Sequence, residues 1–245
     1  MVVSVLAVPG NGGGAFRFAA ALPHLPDDVV LHPVTLPGFD GVAPRDDVRT
    51  AADWGDLVAD AVAALPRPRV LLGHGVGGAL AVEALQGRAG LVDGLLLHAP
   101  VGASLDTRLL PKVVRLPGVS AVLRRGLASR AARPLVRRRV LDPGVPDELV
   151  ARFQAGYAGC AAFDDFWDLL TAGWWDALEP LDVPALLLWG AGDGVLGADQ
   201  VGAWRRLLPR GDVEVVDRWG HWPMLAAPAD WADVVARRSR ALAAA

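Results

Sequence analysis

Three short turns place polar side chains against long apolar runs, and each could carry chemistry. His221 lies in Trp219-Gly220-His221-Trp222-Pro223, enclosed by aromatic and chain-bending residues. Histidine titrates near neutrality, so in a pocket it serves as general base or acid; outside one it is a packing or surface residue. Asp193 closes the run Leu186-Leu187-Leu188-Trp189-Gly190-Ala191-Gly192-Asp193, and beside Gly194 it is either a functional carboxylate or a turn former. The third turn, Gly73-His74-Gly75-Val76-Gly77-Gly78, links the apolar run Val70–Leu72 to Ala79-Leu80 and reads as strand, sharp turn and helix. Glycines there let backbones approach closely, a property shared by phosphate and dinucleotide loops. A dinucleotide loop needs a ribose-binding acid about 20 residues onward. Asp93 falls near that spacing but opens the next apolar run instead of ending it, which argues against that reading. The single cysteine, Cys160, excludes an internal disulfide and completes no metal-ligand spacing. No metal or cofactor is expected.

Taken together, the turns resemble those of the α/β-hydrolase fold superfamily, with its esterase, thioesterase and lyase-like members. Gly73-His74-Gly75-Val76-Gly77-Gly78 is similar to the family's nucleophile elbow, Gly-His-Ser-x-Gly-Gly, except that Gly75 stands where the serine would be. The resemblance further makes Asp193 the acid and His221 the catalytic histidine, in the chain order of this fold. Asp193 would then fix the tautomer of His221 and stabilise its imidazolium. Val8-Pro9-Gly10-Asn11-Gly12-Gly13-Gly14 stands where the oxyanion loop should be, and Leu36-Pro37-Gly38-Phe39-Asp40 is similar to the family's turn after the second strand. The implied oxyanion donors are the backbone N–H groups of Gly10 or Asn11 and of Val76. Gly12 to Gly14 could equally form a merely flexible loop.

Gly75 has no oxygen, so no covalent acyl-enzyme forms there. Replacement nucleophiles, His74 or Cys160, are weaker readings: a sharp turn should aim His74 elsewhere, and nothing in the sequence brings Cys160 to His221. Three readings remain. In the first, His221 deprotonates a water or substrate hydroxyl in non-covalent hydrolysis, cyclisation or lyase-type chemistry. In the second, a serine esterase or thioesterase has been inactivated by a Ser-to-Gly change. In the third, the pocket binds a ligand without chemistry, which leaves the Asp193 and His221 pair without a purpose.

Around these turns, apolar β-branched runs alternate with helix-like segments, which predicts a mostly parallel sheet with helices on both faces. The predicted strands are Val2–Val8, Val29–Thr35, Arg69–Leu72, Gly94–His98, Ala185–Trp189 and Val213–Val216. Helices are predicted near Phe16–Leu22, Thr50–Leu65, Val76–Gln86, Ala198–Leu208 and Pro228–Ala241. No strand pattern appears between Val101 and Leu181. Residues 1–100 and 182–245 are therefore expected to form the core, and residues 101–181 a helical lid at the C-terminal sheet edge, where ligands bind in such folds.

The 245 residues suffice for one domain, and 53% hydrophobic content supports a large core. A net charge of −3 gives no global attraction to nucleic acid or anionic membrane, and no apolar run approaches a membrane span. The N-terminus shows no signal-peptide pattern, so a cytoplasmic location is expected. Of nine tryptophans, Trp167, Trp174, Trp175 and Trp222 are candidates to line a pocket with His74, and they suggest a small hydrophobic substrate. Aromatic residues on helices also serve as plain core. From Thr107 to Val140 the chain carries ten cations and no acid, from Arg108, Lys112 and Arg115 to Arg137, Arg138 and Arg139. That run is either a solvated face or a landing site for an acidic carrier protein.

Overall fold

A computed structural model of the chain describes residues 1–102, 113, 116, 118–166 and 174–245. Six strands form one sheet: β1 (Val3–Val8), β2 (Val29–Pro33), β3 (Arg69–His74), β4 (Gly94–His98), β5 (Ala185–Gly190) and β6 (Gly211–Val216). Their order is β2-β1-β3-β4-β5-β6, and every pairing is parallel. All residues of β1, β4 and β5 are buried. Successive side chains point to opposite faces, so both faces of these strands are covered. The edge strand β6 is half-buried or exposed at every residue but Val216.

The helices are α1 (Phe16–Ala19), α2 (Ala51–Ala63), α3 (Val76–Ala84), α4 (Val119–Ala128), α5 (Arg133–Arg139), α6 (Asp147–Ala158), α7 (Val201–Leu207), α8 (Pro223–Ala226) and α9 (Pro228–Ala243). Thr50 starts α2 through a capping box with Asp53, its hydroxyl accepting from the Asp53 N–H at 3.2 Å and its own N–H bonding the Asp53 carboxylate at 2.7 Å. In α9, Trp231, Val234, Val235, Ser239 and Leu242 recur at helical spacing and face the core. Trp231 stacks on Phe18 at 5.6 Å and donates its indole N–H to His98.

The six expected strands are present, each shifted by two residues or fewer at either end. Among the described residues between β4 and β5 there are helices α4 to α6 and no strand. The chain order reverses about β1, whose neighbours are β2 on one side and β3 on the other. In open parallel sheets such a reversal is where a ligand crevice is expected, at the carboxyl ends of the strands.

Candidate active site

The turn after β3 is held by its backbone. The Gly75 N–H donates to the His98 carbonyl at 3.1 Å, and the Gly75 carbonyl accepts from Gly78 and Val101 at 3.0 Å each. Gly75 has φ of 56° and ψ of −118°, a conformation in which a side chain is strained. The surrounding space is open: a Cβ built there would meet only the Gly10 Cα at 3.7 Å and the His221 Nε2 at 3.9 Å. Gly75 and His221 therefore face each other, although 146 positions separate them. Val76 opens α3, so its N–H has no partner within the helix.

His221 is buried and anchored on every side. Its Nδ1–H donates to Asp193 Oδ2 at 2.7 Å, which leaves the Nε2 lone pair directed at the space over Gly75. The other Asp193 oxygen accepts from the N–H groups of Val195 at 2.8 Å and Leu196 at 2.7 Å. Asp193 thus shapes its turn with one oxygen and orients the histidine with the other. The His221 N–H donates to Asp142 Oδ1 at 2.8 Å and the Trp222 N–H to Asp142 Oδ2 at 2.7 Å. Burial pushes the Asp142 carboxyl above its ordinary range, and these two donors resist the shift. Gly190, ending β5, lacks the Cβ that would overlap the carbonyls of Trp219 and Gly220. That lets the histidine loop rest on the Asp193 strand.

His74 is fully buried, and its Nε2–H donates to the His221 carbonyl at 3.0 Å. Its ring lies 4.7 Å from His221, 4.9 Å from Trp222 and 5.0 Å from His98. Burial, followed by the charges His221 and His98 would carry, pushes His74 well below the ordinary histidine range. Burial and His221 likewise push His98 down to about 3. Both rings stay neutral beneath His221. What His74 touches is the histidine loop and the core.

The loop after β1 brings Gly10 against the elbow: a Cβ at Gly10 would sit 3.3 Å from the His74 carbonyl oxygen and 3.8 Å from the Val76 nitrogen. Gly13 N–H bonds the Gly10 carbonyl at 3.0 Å, closing a turn over Asn11 and Gly12. The Asn11 carbonyl accepts from Arg17 Nη2 at 3.1 Å, and its Oδ1 from the Cys160 thiol at 3.7 Å. The glycine run is a tightly packed loop, since a Cβ at Gly12 would strike the Tyr157 ring and one at Gly13 the Arg17 side chain. Burial pushes the Cys160 thiol up to about 11 and keeps it protonated, the reverse of an activated nucleophile.

Trp222 stands at the centre of this group, edge-on to His221 at 4.6 Å and to Phe153 of α6 at 5.1 Å. Trp174 donates to Glu83 Oε2 of α3 at 2.7 Å, and Trp175 packs on Trp204 at 4.7 Å. These two tryptophans flank Gly102 and pack on α3 and α7 rather than on His221. Trp167 lies outside the described residues, as do Arg108, Lys112 and Arg115 of the basic run. Within that run, Arg137 pairs with Asp147, and Arg133 donates to Gln154 Oε1 at 3.1 Å. Among the described residues no cluster of histidine, cysteine or acid could hold a metal ion, and no helix is long and apolar enough to cross a membrane.

Two residues of this group carry no motif in the sequence. Asp142 sits in the unremarkable turn Leu141-Asp142-Pro143-Gly144, and only tertiary contact reveals it as the anchor of the histidine loop. Arg17 left one trace, a lone cation inside Ala15-Phe16-Arg17-Phe18-Ala19.

The model of the alpha/beta hydrolase family matches residues 5–234. A thermophilic esterase from Thermogutta terrifontis superposes with a TM-score of 0.71 at 19% identity, covering 98% of this chain and 90% of that one. A mutant epoxide hydrolase from Bacillus megaterium gives 0.73 at 13%, covering 95% and 91%. A mutant N-acyl homoserine lactonase with serine replaced by glycine, complexed with N-hexanoyl homoserine lactone, gives 0.72 at 16%, covering 98% and 90%. At these identities the solved structures are similar in fold. No curated protein matches the sequence.

Proposed function

The chain belongs to the alpha/beta hydrolase family, and from that premise we propose that it is an enzyme acting on a hydrophobic carbonyl compound by non-covalent acid/base catalysis. The observation carrying this reading is the His221 Nε2, 3.9 Å from the Cβ position of Gly75, with Nδ1 tied to Asp193. A water or substrate hydroxyl over Gly75 gives its proton to Nε2 as its oxygen attacks the carbonyl. Asp193 stabilises the imidazolium that results. The N–H groups of Val76 and of Gly10 or Asn11 accommodate the negative charge on the carbonyl oxygen; one such donor is worth roughly 2.7–4 kcal/mol. As the tetrahedral species collapses, the imidazolium returns its proton to the leaving group. Helices α4 to α6, with Phe153 of α6 against Trp222, serve as the lid that excludes water.

The test is turnover across esters, thioesters and lactones. Once a substrate is found, His221→Ala is expected to lower kcat by roughly 10²–10⁴-fold, the usual worth of a positioned base. Full activity in that variant would end the catalytic reading.

The clearance at Gly75 favours a second reading, a serine hydrolase that has lost its nucleophile. A hydroxyl one bond beyond the Cβ position would come within hydrogen-bond reach of His221 Nε2. Gly75→Ser is then expected to give a burst with an activated ester and covalent labelling by a serine-directed phosphonate. Absence of both removes this reading.

A further inference from the structure

Arg17 is wholly buried, yet two of its nitrogens have no hydrogen-bond partner. Nη2 bonds the Asn11 carbonyl and the guanidinium interacts with the Tyr157 hydroxyl, while Nε and Nη1 have no partner of good geometry. Four aromatic rings crowd the guanidinium, with those of Trp222 and Phe153 at 4.4 and 4.7 Å and those of Tyr157 and Phe16 at 5.7 and 5.9 Å. Rings offset part of the cost of removing a cation from water, but a carboxylate is its ordinary partner. Among the described residues none fills that place. Asp40, whose charge reaches Arg17, has its own oxygens taken by Arg152 at 2.6 and 2.5 Å.

A second orphaned donor lies on the same loop. Asn11 Nδ2 is buried without a partner, and its residue is the one whose carbonyl Arg17 holds. Unpaired donors from two side chains therefore border the Gly10–Gly13 turn. This group adjoins His221, since Trp222 contacts both Arg17 and the His221 ring. A buried cation and an amide, each with unpaired donors and one ring away from the proposed base, are suited to an anion that arrives with the substrate.

We propose that Arg17 and the Asn11 amide form a carboxylate-binding subsite, and that the substrate carries a carboxylate on the same molecule as its reacting carbonyl. The enclosure is tight, which favours a small planar carboxylate over a tetrahedral phosphate. The inference rests on placing the reacting carbonyl between Gly75 and His221, but its test does not require turnover.

The probes are keto acids with two to four methylene groups between ketone and carboxylate, each compared with a methyl ketone of equal length. Neither kind can be hydrolysed. Calorimetric titration of the unaltered protein is expected to show at least one keto acid binding tenfold or more tightly than its neutral counterpart. Arg17→Met should abolish that preference, and Arg17→Lys should retain part of it. Equal affinities across every pair in the unaltered protein overturn the proposal, and so does a preference that survives in folded Arg17→Met. If the preference holds while His221→Ala keeps full turnover, the catalytic reading fails and the subsite stands.

Discussion

His221 owes its usefulness to four separate restraints. Asp193 holds its ring nitrogen, Asp142 its N–H, His74 its carbonyl and Trp222 the side of its ring. Asp193, Asp142 and His74 act from three elements remote in sequence, and Trp222 from the same loop. Asp142 has no contact with the reacting space and acts through the loop alone. Removing it strands the N–H groups of His221 and Trp222, two bonds to a charged acceptor worth about 1.5–3 kcal/mol each. Asp142→Ala is expected to lower kcat by up to about 10²-fold through misplacement of His221, with little change in KM. Asp142→Asn, which keeps one acceptor oxygen, should recover part of the loss. Steady-state kinetics on both variants checks this, and a KM effect equal to the kcat effect would contradict a positioning role.

At the scale of elements, the glycines of the elbow are spacing devices. A Cβ on Gly77 would overlap the Val8 carbonyl, and one on Gly78 the Pro100 ring at 2.5 Å. Helix α3 can therefore sit against the ends of β1 and β4 and point its first N–H into the crevice. Gly77→Ala forces α3 away from β1 and is expected to destabilise by about 1–3 kcal/mol, as overpacking does. Gly126 of α4 has nothing within 4 Å of its Cβ position. There the same substitution should stabilise by about 0.5–1 kcal/mol. Chemical denaturation of the two variants should give opposite signs; like signs would show that propensity outweighs contact at Gly77.

For the whole molecule, the buried histidines tie stability to pH. In the unfolded chain His74 and His98 take up protons near pH 6.5. In the fold, burial keeps His98 neutral down to about 3 and holds His74 well below its ordinary value. Folded values below unfolded ones mean full stability above about pH 6.5 and a progressive loss as pH falls toward the folded values. His98 alone accounts for about 2 kcal/mol between pH 7 and pH 5, with His74 acting in the same direction. Urea unfolding at the two pH values measures the difference, and equal stabilities would refute it.

The parallel sheet was legible because buried strands read as unbroken apolar runs: Leu95-Leu96-Leu97 and Leu186-Leu187-Leu188 admit few other readings. The turns bearing Gly75, Asp193 and His221 were legible because sharp turns at strand ends require particular residues at fixed local spacing. Asp142 and Arg17 were not, because their partners lie 79 and 6 positions away and bond through backbone atoms that leave no mark on residue type. Sequence alone determined which turns could do chemistry. Only the tertiary structure decided that His221 Nε2 faces Gly75 and that a buried cation with no carboxylate partner among the described residues lies behind the loop, since distance in space follows from packing and not from order along the chain.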